Sequence, residues 1–588
     1  MVMSNNSIPN LYNANIELVG IKLKILIMKL NNRLYLIIFL GLIFLGGVSC
    51  VKSNDGLVVD GSSNRPFLPY SFNIKTTRDS AVFSWSAPVL SAGKRYDYTV
   101  DVSTDSTFGT IDFTKTVNTL GFVVVDPELS VGKKYYARLQ VNSYEGSNPS
   151  RIDTATRSFT IPGLNYFKLI REKDISSKSA LVHWIVNDST RKLDKLVLTL
   201  DSPSVVVNTY DLSGGDVTGG QKLLDQLMPE TKYNLQAFAN GKSYGIIKFS
   251  TPKELVFTTV LSAGADLAAA LESASNGDVI GLSPGVYDGS KGLSLRQKHL
   301  TLASTSNNPY DTKLLVKELD LYGDSSGISL KGIDIDGHYN DGSYGVQFIM
   351  LKGLNADGEA AQFSDVKMDN CLIHDFTRCF LIGNKAANAN DHKIGTFSIN
   401  NSIIYNIDSV GTSTYYTFSM ENLELKNFKI SNSTFYNMGV GFINMSKTLQ
   451  PTLDVPTISI DACTFNNFGG GNKNLLFDAN NNKIFYTLRN SILANTPQAG
   501  SINGTAFRCT GSGSTLDFLN NNYFNLYTSA GGTSPLSLTG LNEVSCLTID
   551  LGWTAATRNF SLASYPEESE FMTMSTSAHS VGDPRWAY

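Results

Sequence analysis

The segment FKISNSTFYNM runs from Phe428 to Met438, and two near copies flank it. FSINNSIIYNI begins 31 residues earlier at Phe397, and ISIDACTFNNF begins 30 residues later at Ile458. Each copy alternates apolar and polar residues on both sides of one Asn or Ala, and then ends on a second Asn. Alternation of period two is the pattern of a strand with one buried face. A break in the alternation, filled by a residue that tolerates left-handed backbone, is a tight turn. Recurrence of the whole phrase at a near-constant interval is the signature of a solenoid.

The phrase extends over seven copies. With the first Asn as anchor, the equivalent positions are Gly332, Asn370, Asn401, Asn432, Ala462, Asn490 and Asn521, spaced 28 to 38 residues apart. Two before the anchor stand Leu330, Met368, Ile399, Ile430, Ile460, Leu488 and Leu519. Four before stand Ile328, Val366, Phe397, Phe428, Ile458 and Tyr486, with Asp517 the one polar exception. Three after stand Ile335, Ile373, Ile404, Phe435, Phe465, Leu493 and Phe524. These rows predict an inward apolar stack. One after the anchor the residue is mostly small: Cys371, Ser402, Ser433, Cys463 and Ser491. Coils stacked at roughly 4.8 Å would align the anchor Asn side chains into an amide ladder. That arrangement resembles the right-handed parallel β-helices of the pectin-lyase-like superfamily. The opening phrase ADLAAALESASNGDVIGLSPGVYDG (Ala265 to Gly289) fits as well: a short amphipathic helix to cap the core, a Gly-Asp turn, then a first strand.

Upstream, two segments repeat a different plan. SAVFSWSAP places Trp85 on an early strand and LSVGKKYYARLQV places Tyr135 six residues after Leu129. SALVHWIV places Trp184, and LMPETKYNLQAF places Tyr233 six residues after Leu227. Both resemble fibronectin type III sandwiches, in which the Trp fills the space between sheets and the Tyr hydroxyl ties a strand crossing. The expected organisation is therefore a leader at 1–49, a tether at 50–66, sandwiches at 67–163 and 164–253, and a parallel β-helix with its C-terminal cap at 254–588. The fold class is all-β.

The leader has Lys22, Lys24, Lys29 and Arg33 before a 15-residue apolar run, Leu34 to Val48, too short for a typical membrane span. Met28 is a second candidate start. Gly47-Val48-Ser49-Cys50 resembles a bacterial lipobox, with Gly47 where Leu is usual; the resemblance implies lipidation of Cys50 and an outer-membrane anchor. Without the leader, 44 basic and 51 acidic side chains remain, a net charge of −7 that argues against nucleic acid. Five scattered cysteines carry no disulfide framework and no metal spacing.

The chain closes on VGDPRWAY (Val581 to Tyr588). Lipobox, paired sandwiches, β-helix and terminal GDPRW together resemble uncharacterised gut-bacterial surface lipoproteins. This implies a surface protein that binds polysaccharide, such as pectin or a glycosaminoglycan, and works with outer-membrane uptake proteins. The alternative is a polysaccharide lyase cleaving uronate glycans by Ca²⁺-assisted β-elimination. In lyases of the superfamily the cleft lies on the first strand of each coil. By that comparison Ile382, Ser419, Asn444, Asp478 and Arg508 form one outward row, with Asn384, Glu421, Ser446, Asn480 and Thr510 beyond it. Glu421 and Asp478 are candidate Ca²⁺ ligands; Lys385, Lys447 and Arg508 are candidate bases or charge clamps. Asn444 is a candidate substrate contact. Phe380, Phe442 and Leu476 are expected outward on the same strands. His374, Tyr405 and Tyr436 fall in a second row, a candidate platform for sugar rings. DIDGHYNDG (Asp334 to Gly342) lacks the distal Glu of an EF-hand and reads as a turn of solvated aspartates. Polygalacturonase and pectin methylesterase phrases are absent, as are GxSxG and HExxH.

Overall fold

In a computed structural model of the chain, residues 65–153, 158–449, 454–566, 568–577 and 579–588 are described. The leader, Cys50 and nearly all of the tether lie outside them. Among the described residues no helix is long and apolar enough to cross a membrane.

In the first sandwich, Tyr98–Ser103 pairs antiparallel with both Phe113–Val117 and Lys134–Val141. Trp85 is buried and packs on Phe72, Tyr98 and Phe122. The second sandwich has one antiparallel sheet of Val206–Asp211, Lys195–Leu200, Lys232–Ala239 and Lys242–Ser250, and a second pairing of Ala180–His183 with Gln221–Leu224. Trp184 fills its core, and the Tyr233 hydroxyl accepts a hydrogen bond from the Met228 N–H (2.8 Å), closing the tyrosine corner.

The second sandwich and everything after it fall within one compact unit, which also takes in Ile74–Val82 and Val123–Lys134. The solenoid of about 8 turns opens with the helix Leu267–Ser273, whose N-cap Asp266 accepts from the Ala269 N–H (3.0 Å). The helix buries Leu267 and Leu271 over the open end of the core. From there parallel strands stack coil on coil. Ile328, Val366, Phe397, Phe428, Ile458 and Tyr486 are in register, as are Leu330, Met368, Ile399, Ile430, Ile460 and Leu488. Phe397 and Phe428 stack at 5.4 Å, and Phe435 and Phe465 at 5.0 Å.

At the last coil the register differs from the expected one by a single residue. Tyr486 pairs with Leu516, Leu488 with Phe518 and Leu493 with Tyr523. The left-handed anchor is therefore Asn520 (φ +53°), not Asn521. The apparent exception at Asp517 vanishes, because apolar Leu516 occupies that place. Asn521 instead takes the small-residue position, where its Oδ1 accepts from the Ser491 N–H (2.9 Å). This is the job of the small row throughout: the hydroxyls of Ser402, Ser433 and Ser491 accept the N–H groups of Cys371, Ser402 and Cys463 in the neighbouring coil (3.0, 3.1 and 3.0 Å).

The anchors are left-handed as expected, from Gly332 to Asn490, but they do not form the amide ladder. Only Asn401 reaches its neighbour Asn370 (3.4 Å); Asn432 and Asn490 bond Asn400 and Asp461 instead. The ladder runs five residues later, through a second left-handed row. Asn406 donates to Asp375 (2.8 Å), Asn437 to Asn406 (2.5 Å), Asn467 to Asn437 (3.1 Å) and Asn525 to Asn495 (3.1 Å). After Leu547 the chain leaves the repeat and folds back. Trp553, Phe560, Leu562, Phe571 and Val581 cover Ile492, Ala494 and Phe524 on the outside of the solenoid. The terminal phrase docks here too: Trp586 Nε1 donates to Thr434 Oγ1 (2.7 Å), and Arg585 Nη2 to Asn401 O (2.6 Å). Tyr588 then donates to Leu169 O of the second sandwich (2.9 Å) under the Arg171 guanidinium.

Candidate functional site

Two outward rows carry chemistry. The first lies on the first strands, where Ile382, Ser419, Asn444, Asp478 and Arg508 are paired in register, coil to coil. Arg508 clamps Asp478 bidentately (2.8 and 2.7 Å), so both carboxylate oxygens of Asp478 are taken. The guanidinium is still half exposed. Asn444 Nδ2 donates to Glu421 Oε1 (2.7 Å), while Glu421 Oε2 is buried without a hydrogen-bond partner among the described residues. Burial pushes the Glu421 carboxyl above its ordinary pKa; hydrogen bonding to Asn384 and the charge of Lys447 only partly offset it. Lys447 is exposed. Lys385 lies apart, 3.8 Å from Asp357. A cation on this face would find one open carboxylate oxygen, on Glu421, beside the carboxamides of Asn384 and Asn444, and none on Asp478.

Phe380, Phe442 and Leu476 are not outward. All three are buried in the solenoid core. The strands here are short, Phe418–Ser419, Ile443–Asn444 and Phe477–Asn480. Phe442 and Leu476 precede their strands, so alternation does not carry back that far, whereas Phe380 lies inside Leu372–Ile382 and is buried all the same. The cover is also more extensive than an open sheet face: Ile382, Met350 and Cys379 pack with Tyr415, and Tyr416 is buried, its hydroxyl accepting from the Asn474 N–H (3.2 Å).

The second row contains Asp336, His374, Tyr405 and Tyr436 in register. The rings stack face to face, His374 on Tyr405 at 4.4 Å and Tyr405 on Tyr436 at 4.9 Å. Arg558 lies 4.8 Å over Tyr436. The π faces that a sugar would need are thus spent on each other, and the row presents ring edges and hydroxyls. His374 is buried between two carboxylates, Nε2 2.8 Å from Asp334 and Nδ1 2.6 Å from Asp375. Burial alone would lower its pKa, but the hydrogen bonds to Asp334 and Asp375 and the charges of Asp334 and Asp336 outweigh it and raise it to about 9. Lys313 pairs with Asp334 (3.1 Å) and Asp336 (2.7 Å). Asp334 and Asp336 are therefore buried strand residues, contrary to the expected solvated turn. Asp336, His374 and Asp375 offer three ligand atoms within 4.8 Å of one another. At neutral pH the imidazolium would have to lose its proton before it could ligate, so the cluster favours a proton over a metal ion. Nothing in the local sequence marks this cluster. Asp334 and His374 are 40 residues apart and meet only through coil register.

Strand pairing and site geometry together define the class: an all-β protein with fibronectin III-like sandwiches followed by a single-stranded parallel β-helix that presents two functionalised outer rows. No family model matches the sequence, and no curated protein matches it. Among solved structures the chain is similar to the chicken CNTN1 FN1-FN3 domains, at 15% identity over 32% of this chain and 68% of that one, with a TM-score of 0.14. It is also similar to a two-domain fibronectin type III segment of chicken tenascin (17% identity, 31% and 97% covered, TM-score 0.16). For the PL6 family alginate lyase AlyGC the values are 14% identity, 51% and 40% covered, and a TM-score of 0.30. The chain thus spans less than half of that lyase.

Proposed function

We propose that this protein binds an acidic polysaccharide along the row of first strands, as a lipoprotein anchored through Cys50 at the bacterial outer membrane and working beside uptake proteins. The observation that carries this reading is the row itself. Asn444, Asp478 and Arg508 follow one another in register at strand spacing, with Lys447 exposed next to them. Arg508 is oriented by Asp478 through Nε and Nη2, and its Nη1 has no bond among the described residues. A fixed guanidinium with one free edge is suited to a uronate carboxylate. Purified protein should be retarded in gels containing polygalacturonate or chondroitin sulfate, and the double variant K447A/R508A should run unretarded. Equal retardation of both would overturn the reading. Anchoring is tested separately: C50A should lose the lipid label and leave the membrane fraction.

One observation favours a lyase as the second reading. Glu421 keeps a buried, unpartnered oxygen beside Asn384 and Asn444, a set of hard oxygen donors suited to Ca²⁺. A Ca²⁺ held there would neutralise a uronate carboxylate, and Lys447, whose charge acts on Glu421, would take the neighbouring proton. Ca²⁺-dependent growth of the ultraviolet absorbance of an unsaturated product, lost in E421Q and K447A, would establish it. A flat trace over a panel of uronate polysaccharides would remove it.

A further inference from the structure

A cavity lined by no residue of either row lies where the second sandwich meets the solenoid. Its volume is about 470 Å³, within the range of small-molecule sites. Its walls include the turn carrying Lys173 and Asp174, the loop carrying Asn307 and Tyr310, the solenoid residues Asn370 and Ile403, and the terminal Arg585 and Trp586. Each is held by its own bonds. Arg171 grips Asp174 through Nε (2.5 Å) and Nη2 (3.2 Å). The loop is folded by Ser306 donating to Asp311 (2.8 Å) and by the Tyr310 N–H donating to Asn308 Oδ1 (3.1 Å). Asn370 Nδ2 pins it to the solenoid by donating to Asn307 O (2.7 Å).

Charge in the cavity does not cancel. Asp174 is neutralised by Arg171, and Asp583 by Arg585 (3.1 Å). Glu172 turns away and accepts from Asn400 (2.6 Å) and Asn432 (3.2 Å). Lys173 is left exposed, with no ion pair among the described residues. In the same lining, Asn307 Oδ1 is buried with no donor among the described residues, an acceptor that a ligand hydroxyl would satisfy. Tyr310 completes the set. It is 75% exposed and makes no ring contact among the described residues, so unlike Tyr405 and Tyr436 it has a free π face.

We infer that this cavity is a separate binding site for one carboxylated sugar unit. Lys173 takes the carboxylate, Tyr310 the C–H face of the ring, and Asn307 a hydroxyl. The choice of sugar rests on the glycan reading above; the place and the residues do not. The test is calorimetric titration of the intact protein with monomeric D-galacturonate and D-glucuronate, with D-galactose as the neutral control. Saturable uronate binding is expected, weakened by added salt, with no binding of galactose. K173A and Y310A should each weaken it about tenfold. Both side chains are exposed, so the variants should keep the circular dichroism of the parent. No saturable uronate binding, or K173A binding as tightly as the parent, would overturn the site. The share of monomer binding that K173A removes is the share that belongs to this site. Monomer binding without polymer retardation would sink the long-face reading alone, and retardation without monomer binding would sink this one alone.

Discussion

Ala462 sits at φ +53° in a row otherwise filled by Gly and Asn. A Cβ in that region crowds the following carbonyl, at a cost of roughly 1–2 kcal/mol, and Ala has no side-chain bond to offset it. Ala462→Gly and Ala462→Asn should both stabilise the protein by about 1 kcal/mol, read as a higher denaturant midpoint at unchanged slope. His374 makes the opposite kind of contribution, one that depends on pH. Its folded pKa of about 9 lies above the ordinary value of 6.5. The stabilisation is therefore complete below pH 6.5 and is lost as pH rises through 9. The whole effect is on the order of 3 kcal/mol. Melting temperature should fall across that window in the parent and stay flatter in His374→Gln. A parallel decline in both proteins would mean that the His374 proton is not what the carboxylates bind. This cluster was beyond reach of the sequence, because it depends on which residues of coils 40 residues apart lie side by side. The Tyr405 and Tyr436 row was legible, since it follows from the strand period. The stacking that uses up their faces was not, because ring orientation is set by packing.

At the scale of the coil, the repeat phrase encloses two left-handed turns rather than one, the anchor and the Asn five residues on. Both are rich in Asn, and sequence alone gives no reason to prefer either as the ladder. The second wins because its side chains point at one another along the stack, while the first row is diverted to Asn400, Asp461 and Arg585. Asn437 is the centre of that ladder, donating to Asn406 and accepting from Asn467. Asn437→Ala should cost about 2–3 kcal/mol, for two bonds lost, leaving Asn406 Oδ1 and Asn467 Nδ2 without those partners. Asn432→Ala, in the row without a ladder, should cost less, and chemical denaturation of both variants decides it. The misplaced last anchor has a related origin. Asn520, Asn521 and Asn522 stand together, and the spacing does not say which takes the turn. A polar residue interrupting an otherwise apolar row was the visible sign of the slip.

For the molecule as a whole, the last residues hold the solenoid to the second sandwich. Tyr588 lies against Arg171 and His183 of the sandwich, while Trp586 and Arg585 are bonded to Thr434 and Asn401 of the solenoid. Calorimetry of the intact protein should show these two parts unfolding together. Removal of residues 583–588 should lower the melting temperature and split off a separate transition for the sandwich. If the deletion leaves one transition at an unchanged temperature, the tail is decoration. Domain order and solenoid fold could be read from the sequence because each coil repeats the same instruction. The tail gave no such pattern, and its role appears only in three dimensions.

The constant 31-residue step between Asn370, Asn401 and Asn432 also means that the solenoid can be edited in whole coils. Excising residues 402–432 would join Asn401 to Ser433 with every surviving row still in phase, whereas excising half that length would set apolar rows against polar ones. The first protein should be a shorter soluble β-helix and the second should not fold. A fold built this way changes its reach by adding or losing turns, and the spacing of whatever it grips stays the same.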